Sequence, residues 1–143
     1  MIVVLMGAPG AGKSTWVRNH MTGTEHIYNI DAIRANKELD VNSYTNMQRK
    51  RAIEAVQAGK WLIADATHTI KPHRDLWRNL GDRLGIDTKL IMLDTQLATL
   101  LEVQKTREFP VAQKVVVDHY RKMQLSKHAV QREGWGSIET IKR

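Results

Sequence analysis

Gly7, Gly12, Lys13 and Ser14 stand in the spacing G-x-x-x-x-G-K-S, directly after the apolar run from Ile2 to Met6 and directly before a helical pattern. No other stretch restricts the fold so tightly. Glycines at these positions let the backbone bend sharply, so that successive N–H groups point inward and cradle phosphate oxygens. A helix opening near Gly12 brings its positive dipole end to the same spot. The loop formed by Gly7, Ala8, Pro9, Gly10, Ala11, Gly12, Lys13, Ser14 and Thr15 therefore reads as a P-loop for ATP or another nucleoside triphosphate. Lys13 is expected at the β- and γ-phosphates and Ser14 at Mg²⁺.

With 143 residues the chain fits one domain, taken as 1–143, with one core. A composition of 42% hydrophobic and 26% charged residues suits a globular protein. No run reaches the ~20 apolar residues that a membrane span requires, so no membrane partner is expected. Met1 leads straight into the first strand, without a charged leader or a cleavage site, and a cytoplasmic location is expected. The absence of cysteine excludes a disulfide partner, thiolate chemistry and a zinc-thiolate site. A net charge of +7 points to an anionic partner such as nucleic acid. Those charges are dispersed in short groups, at 49–51, 71–74 and 121–122, and no single tract collects them.

Strand and helix signals alternate along the chain with short connections, the pattern of a parallel sheet in a three-layer α/β/α P-loop fold of the nucleotide-kinase type. A helix over 12–21 is followed by a strand over 26–30 and a helix opening at Asp31. A polar turn at 40–43 precedes a helix over 44–58, with Met47, Ala52, Ile53 and Val56 on its buried face. The third strand, 61–64, is stopped by Asp65. Pro72 starts a helix whose stripe is Leu76, Trp77, Leu80 and Leu84. A fourth strand over 89–93 leads to a helix from about 96 that buries Leu97, Leu100 and Leu101. The segment 105–111 breaks the periodicity before a last helix to about 125, and 137–141 adds an edge strand. That makes four or five strands, with ligands expected beyond their carboxyl ends.

Several polar residues fall at those ends. Asp31 and Arg34, three apart at a helix start, share a face at a strand end, and an ordinary helix cap with a local ion pair would give the same letters. Asp65, with Thr67 two residues on, is placed to hold the water shell of Mg²⁺. Asp94 reads as a cap for the helix after strand four. Arg107 lies in a basic, non-helical segment, as a lid arginine that closes over a transition state would. Among the histidines, which lack metal-ligand spacing, His68 alone is a candidate substrate contact. Trp77 reads as core.

These motifs together resemble the P-loop polynucleotide 5′-hydroxyl kinases of bacteriophage type. The residues that carry the resemblance are GAPGAGKSTWVR at 7–18, YNIDAIR at 28–34, LIADAT at 62–67 and the arginine of KTREFP at 105–110. The resemblance implies Lys13 and Ser14 at the phosphates and the metal, and Asp31 beside an attacking 5′-hydroxyl. It also implies Arg34 on the phosphate 3′ to the terminal nucleoside, Asp65 at the metal or substrate site and Arg107 over the donor phosphates. Relatives commonly carry asparagine after the D-x-T segment, where this chain continues His68-Thr69-Ile70. A bacterial or phage-infected cell is the setting the resemblance suggests.

The resulting expectation is an ATP- and Mg²⁺-dependent kinase of DNA or RNA 5′-hydroxyl ends. A P-loop kinase for a nucleoside, nucleotide or antibiotic is the alternative, and a nucleotide-gated nucleic-acid-binding switch is a reading of another class. Donor base, DNA against RNA and oligomeric state are left open by the residues.

Overall fold

The apolar run after Met1 becomes the central strand of a five-stranded sheet. In the computed structural model, which describes residues 1–30 and 40–143, the strands are β1 (Ile2–Met6), β2 (His26–Asn29), β3 (Leu62–Asp65), β4 (Thr88–Asp94) and β5 (Ser137–Lys142). They lie in the order β2-β3-β1-β4-β5, and every pairing is parallel. Leu5 of β1 has Asp65 of β3 on one side and Ile91 of β4 on the other. All five β1 side chains are buried, which is why no polar residue interrupts that strand.

Side chains alternate across a strand, so β1 feeds two core layers. Ile2, Val4 and Met6 enter one layer, and Val3 and Leu5 enter the other. The described helices are α1 (Lys13–His20), α2 (Val41–Gln57), α3 (Lys71–Leu84), α4 (Leu97–Gln104) and α5 (Gln113–Ser126), with a 3-10 turn at Ala129–Arg132. α2 and α3 cover the first layer through Ala52, Val56, Trp77 and Leu80. α1 and α4 cover the second through Val17 and Leu100. α5 serves both, giving Val116 to one and Met123 to the other. This is the three-layer α/β/α architecture with a parallel sheet that the sequence predicts.

Local details differ from the sequence reading. The second described helix starts at Val41, not at 44, because Asp40 accepts from the backbone N–H groups of Asn42 (3.0 Å) and Ser43 (3.4 Å). The polar turn is therefore an N-cap. Met47 and Leu76 are 40% and 37% exposed, so neither belongs to the core stripe assigned to it. On α3 that stripe is instead completed by Arg74 and Gly81. Trp61, 54% exposed, precedes β3, and Asp65 is the last residue of the strand. Asp94 caps none of the described helices: its carboxylate accepts from Gln124 Nε2 at 3.0 Å and lies 3.7 Å from Lys127 Nζ. The helix expected at Asp31 lies outside the described residues. No described helix is long and apolar enough to cross a membrane.

One buried ion pair ties the first layer together. Arg74 donates through Nε and Nη2 to the two carboxylate oxygens of Glu133 at 3.0 and 2.7 Å, and both side chains are at most 3% exposed. Glu133 also accepts from Trp135 Nε1 at 3.0 Å. Burial alone would raise the Glu133 carboxyl, yet the hydrogen bonds from Arg74 and Trp135 and the charge of Arg74 hold it below the ordinary glutamate range. The third donor of Arg74, Nη1, reaches His68 O at 3.0 Å, linking this fork to the turn after β3.

Candidate active site

β1 ends at Met6, and residues 7–12 turn the chain into α1. Gly10 and Gly12 have φ of 93° and 100°, a region strained for any residue with a Cβ. Space is a second constraint at both: a Cβ on Gly10 would come 2.8 Å from Gln104 Nε2, and one on Gly12 would run into the guanidinium of Arg143. The loop is braced from outside. Gln104 Nε2 donates to Pro9 O at 2.9 Å, Thr95 Oγ1 donates to Ala11 O at 3.3 Å, and Gly7 N donates to Thr67 O at 2.9 Å. Lys13 folds across the same loop, with Nζ donating to Gly7 O at 2.8 Å and to Ala8 O at 3.0 Å.

Beside this loop opens a cavity of about 340 Å³, whose lining includes Lys13, Ser14, Thr15, Asp65, Thr67 and Arg107. The structure therefore brings together residues that the sequence offered from three separate segments. Ala8 and Ala11 face the second core layer. Asp65, 7% exposed at the end of β3, accepts from Asn29 Nδ2 at 3.1 Å. Arg107 reaches the cavity from the connection between α4 and α5, and its Nη1 is buried without a hydrogen-bond partner among the described residues. Asp31 and Arg34 lie outside the described residues.

Gln104 escaped the sequence reading. Its amide also accepts from Val111 N at 2.9 Å, so one side chain holds the P-loop on one side and the far end of the Arg107 segment on the other. A signal was present: Gln104 continues the apolar spacing of Leu97, Leu100 and Leu101, and is a polar residue on a buried stripe.

A second cavity, of about 190 Å³, shares Ile30, Ala66 and Thr67 with the first. Its walls carry the apolar Leu76 and Trp77 and the cation Arg49, whose Nε is buried and unpartnered among the described residues. His68, the candidate substrate contact of the sequence reading, stands in this wall with its ring tied into the framework. It is 3% exposed, with Nδ1 2.7 Å from Leu5 O and Nε2 accepting from Trp77 Nε1 at 3.0 Å. These bonds assign the proton to Nδ1 and occupy both ring nitrogens. Its φ of 47° lies in the left-handed region, which histidine and asparagine enter more readily than most residues.

Burial lowers the pKa of His68 to about 4, the carbonyls of Leu5 and Ala66 act the other way, and the charges of His73 and Lys13 add to the lowering. In the unfolded chain the group protonates near 6.5, so between these values the unfolded state binds the extra proton. Stability is expected to fall as pH drops from 6.5 towards 4, by up to about 3 kcal/mol from this residue. Urea unfolding at pH 7, 5.5 and 4.5 measures the slope. His68→Asn, which keeps the backbone conformation accessible, should flatten it, and an unchanged slope would assign it to other groups.

The family described as AAA domain matches residues 2–129. The chain belongs to that family. Two relatives named adenylate kinase align with parts of this AAA domain. The one from Natronomonas pharaonis is 41% identical over 56 residues, covering 38% of this chain and 27% of the relative. The one from Haloarcula marismortui is 40% identical over 67 residues, covering 45% of this chain and 30% of the relative. The matches thus span under a third of either relative. Among solved structures, a deoxyadenosine kinase from M. mycoides with bound dATP superposes with a TM-score of 0.60 at 12% identity, over 99% of this chain and 91% of that one. A Chloroflexus aurantiacus protein described as a candidate kinase gives 0.66 at 18% identity, over 99% and 86%. At those identities the likeness is one of fold, and it extends across this AAA domain.

Proposed function

We propose that this AAA domain is an ATP-dependent kinase whose acceptor is a nucleoside or nucleotide. The observation that carries the reading is the pair of contiguous cavities, one lined by the P-loop with Lys13 and Arg107, the other by apolar walls and Arg49, meeting at Ile30, Ala66 and Thr67. A donor triphosphate and a separate small acceptor then have adjoining sites at the carboxyl ends of β1 and β3. The name adenylate kinase carried by the aligned relatives, and deoxyadenosine kinase by a fold neighbour, support this acceptor class.

In this reaction an acceptor oxygen attacks the γ-phosphorus, the bond to the β,γ-bridging oxygen breaks, and the nucleoside diphosphate leaves. The transition state is loose, so alignment and charge compensation supply most of the acceleration. Lys13 and the backbone N–H groups of the P-loop hold the β- and γ-oxygens, and Arg107 adds a planar donor fork from the α4–α5 connection. Ser14 and Asp65 line one cavity with a hydroxyl and a carboxylate, oxygen donors of the kind Mg²⁺ accepts. Bound there, Mg²⁺ would supply positive charge to the donor phosphates. Asp31 is the proposed acceptor of the hydroxyl proton, on the strength of its place in the sequence.

Nucleic-acid 5′-hydroxyl ends are a second reading, favoured by the net charge of +7 and by the segment at 28–34. A transfer assay with labelled γ-phosphate separates the two, using nucleosides, nucleoside monophosphates and 5′-hydroxyl oligonucleotides as acceptors. The proposal expects the single-nucleoside compounds to be labelled at least as well as oligonucleotides, with little salt dependence. Labelling that rises with chain length and weakens with salt, at a log-log slope of about 0.7 per phosphate contacted, would establish the nucleic-acid acceptor instead.

A further inference from the structure

Arg143, at the end of β5, belongs to none of the motifs above, yet its side chain enters the P-loop cavity. Its backbone is stitched to the connection after β4, with Arg143 N donating to Asp94 O and Gln96 N donating to Arg143 O, both at 3.1 Å. That connection is itself tied to the P-loop through Thr95. The guanidinium is thereby held against Gly12, where a Cβ would lie 2.9 Å from Arg143 Cζ. None of the ion pairs among the described residues includes Arg143.

We propose that Arg143 binds the phosphate chain of the donor nucleotide, as a third cation beside Lys13 and Arg107. The inference rests on the kinase reading, because it takes the P-loop as the donor site. Gly12 is the last loop residue before α1, and its N–H group belongs to the cradle that grips phosphate. A guanidinium packed on that glycine lies within reach of the same phosphate oxygens, and its flat fork of N–H donors matches them. Charge complementarity points the same way. Lys13, Arg107 and Arg143 line the cavity, and Asp65 is the one carboxylate among its described lining residues. A nucleoside triphosphate with one Mg²⁺ brings the opposite charge. The absence of a side chain at Gly12 thus has a second use, since it leaves the space through which Arg143 reaches the site.

Calorimetric titration of the wild-type protein, Arg143→Gln and Arg143→Lys with Mg²⁺-ATP and with Mg²⁺-tripolyphosphate tests the assignment. Arg143 is exposed at the end of an edge strand, so both variants should keep the wild-type unfolding transition. The expected result is a loss of about tenfold in affinity for both ligands in Arg143→Gln, with Arg143→Lys intermediate because a point charge replaces only part of the fork. Unchanged affinity for both ligands in Arg143→Gln would overturn the inference and leave the kinase reading standing. A loss for ATP without a loss for tripolyphosphate would also overturn it, placing the guanidinium on the base. A wild-type protein that binds neither ligand would remove both readings together.

Discussion

Lys13→Ala is expected to reduce phosphoryl transfer by a factor on the order of 10³ while leaving the fold intact. The lysine is half-buried at the cavity and donates to the carbonyls of Gly7 and Ala8, which water can reach when the side chain is shortened. Its charge matters most when negative charge shifts on the donor phosphates, and that advantage appears in the rate at saturation. Steady-state transfer together with a urea unfolding curve checks both halves of the expectation. Wild-type turnover by Lys13→Ala would end the argument from the P-loop, and a large fall in stability would show that the lysine is part of the framework.

The largest effect on stability is expected from Arg74→Ala. The variant leaves the Glu133 carboxylate buried with Trp135 as its remaining side-chain donor and takes a hydrogen bond from His68 O. Breaking a buried pair by removing one partner destabilises by about 3–5 kcal/mol, a large share of the 5–15 kcal/mol typical of a domain. Much of that loss comes from the stranded charge, so Arg74→Ala combined with Glu133→Gln should be more stable than Arg74→Ala alone. Denaturant midpoints at pH 7 decide the matter. A loss below about 1 kcal/mol in the single variant would mean that water reaches Glu133 once the arginine is gone.

The P-loop was legible because its chemistry is local: a strand, two glycines and a lysine within a dozen residues dictate one backbone path. The alternation of strands and helices was legible for a similar reason, and it led to the correct layers. The order β2-β3-β1-β4-β5 was not, since neighbours in the sheet come from distant parts of the chain. Arg74 shows the limit well. In sequence it belongs to a basic surface group, but its partner Glu133 lies 59 residues away and turns it into a core residue. His68 was legible as a histidine beyond a strand end, but its bonds to Leu5, 63 residues earlier, and to Trp77, which tie it into the framework beside the second cavity, were not. Met47 and Leu76 followed the helical period correctly, but how wide a buried face becomes is decided by what packs over it. Arg143 gave no sign at all, because one arginine in a charged tail looks like any other until the tail is paired beside β4.

The braces on the P-loop bear on how such a motif could be moved between proteins. Its sequence looks like a portable cassette, yet Ala11 O and Pro9 O are held by Thr95 and Gln104, which lie 84 and 95 residues further along the chain. Transplanting residues 7–15 alone into another sheet would carry over the glycines and the lysine without these two anchors. The graft would therefore have the right letters on a loop free to sample other shapes, with its phosphate grip diluted across them. A cassette that keeps its grip has to include the end of β4 and the whole of α4, which makes the transferable unit a β1–α1/β4–α4 pair and not a loop.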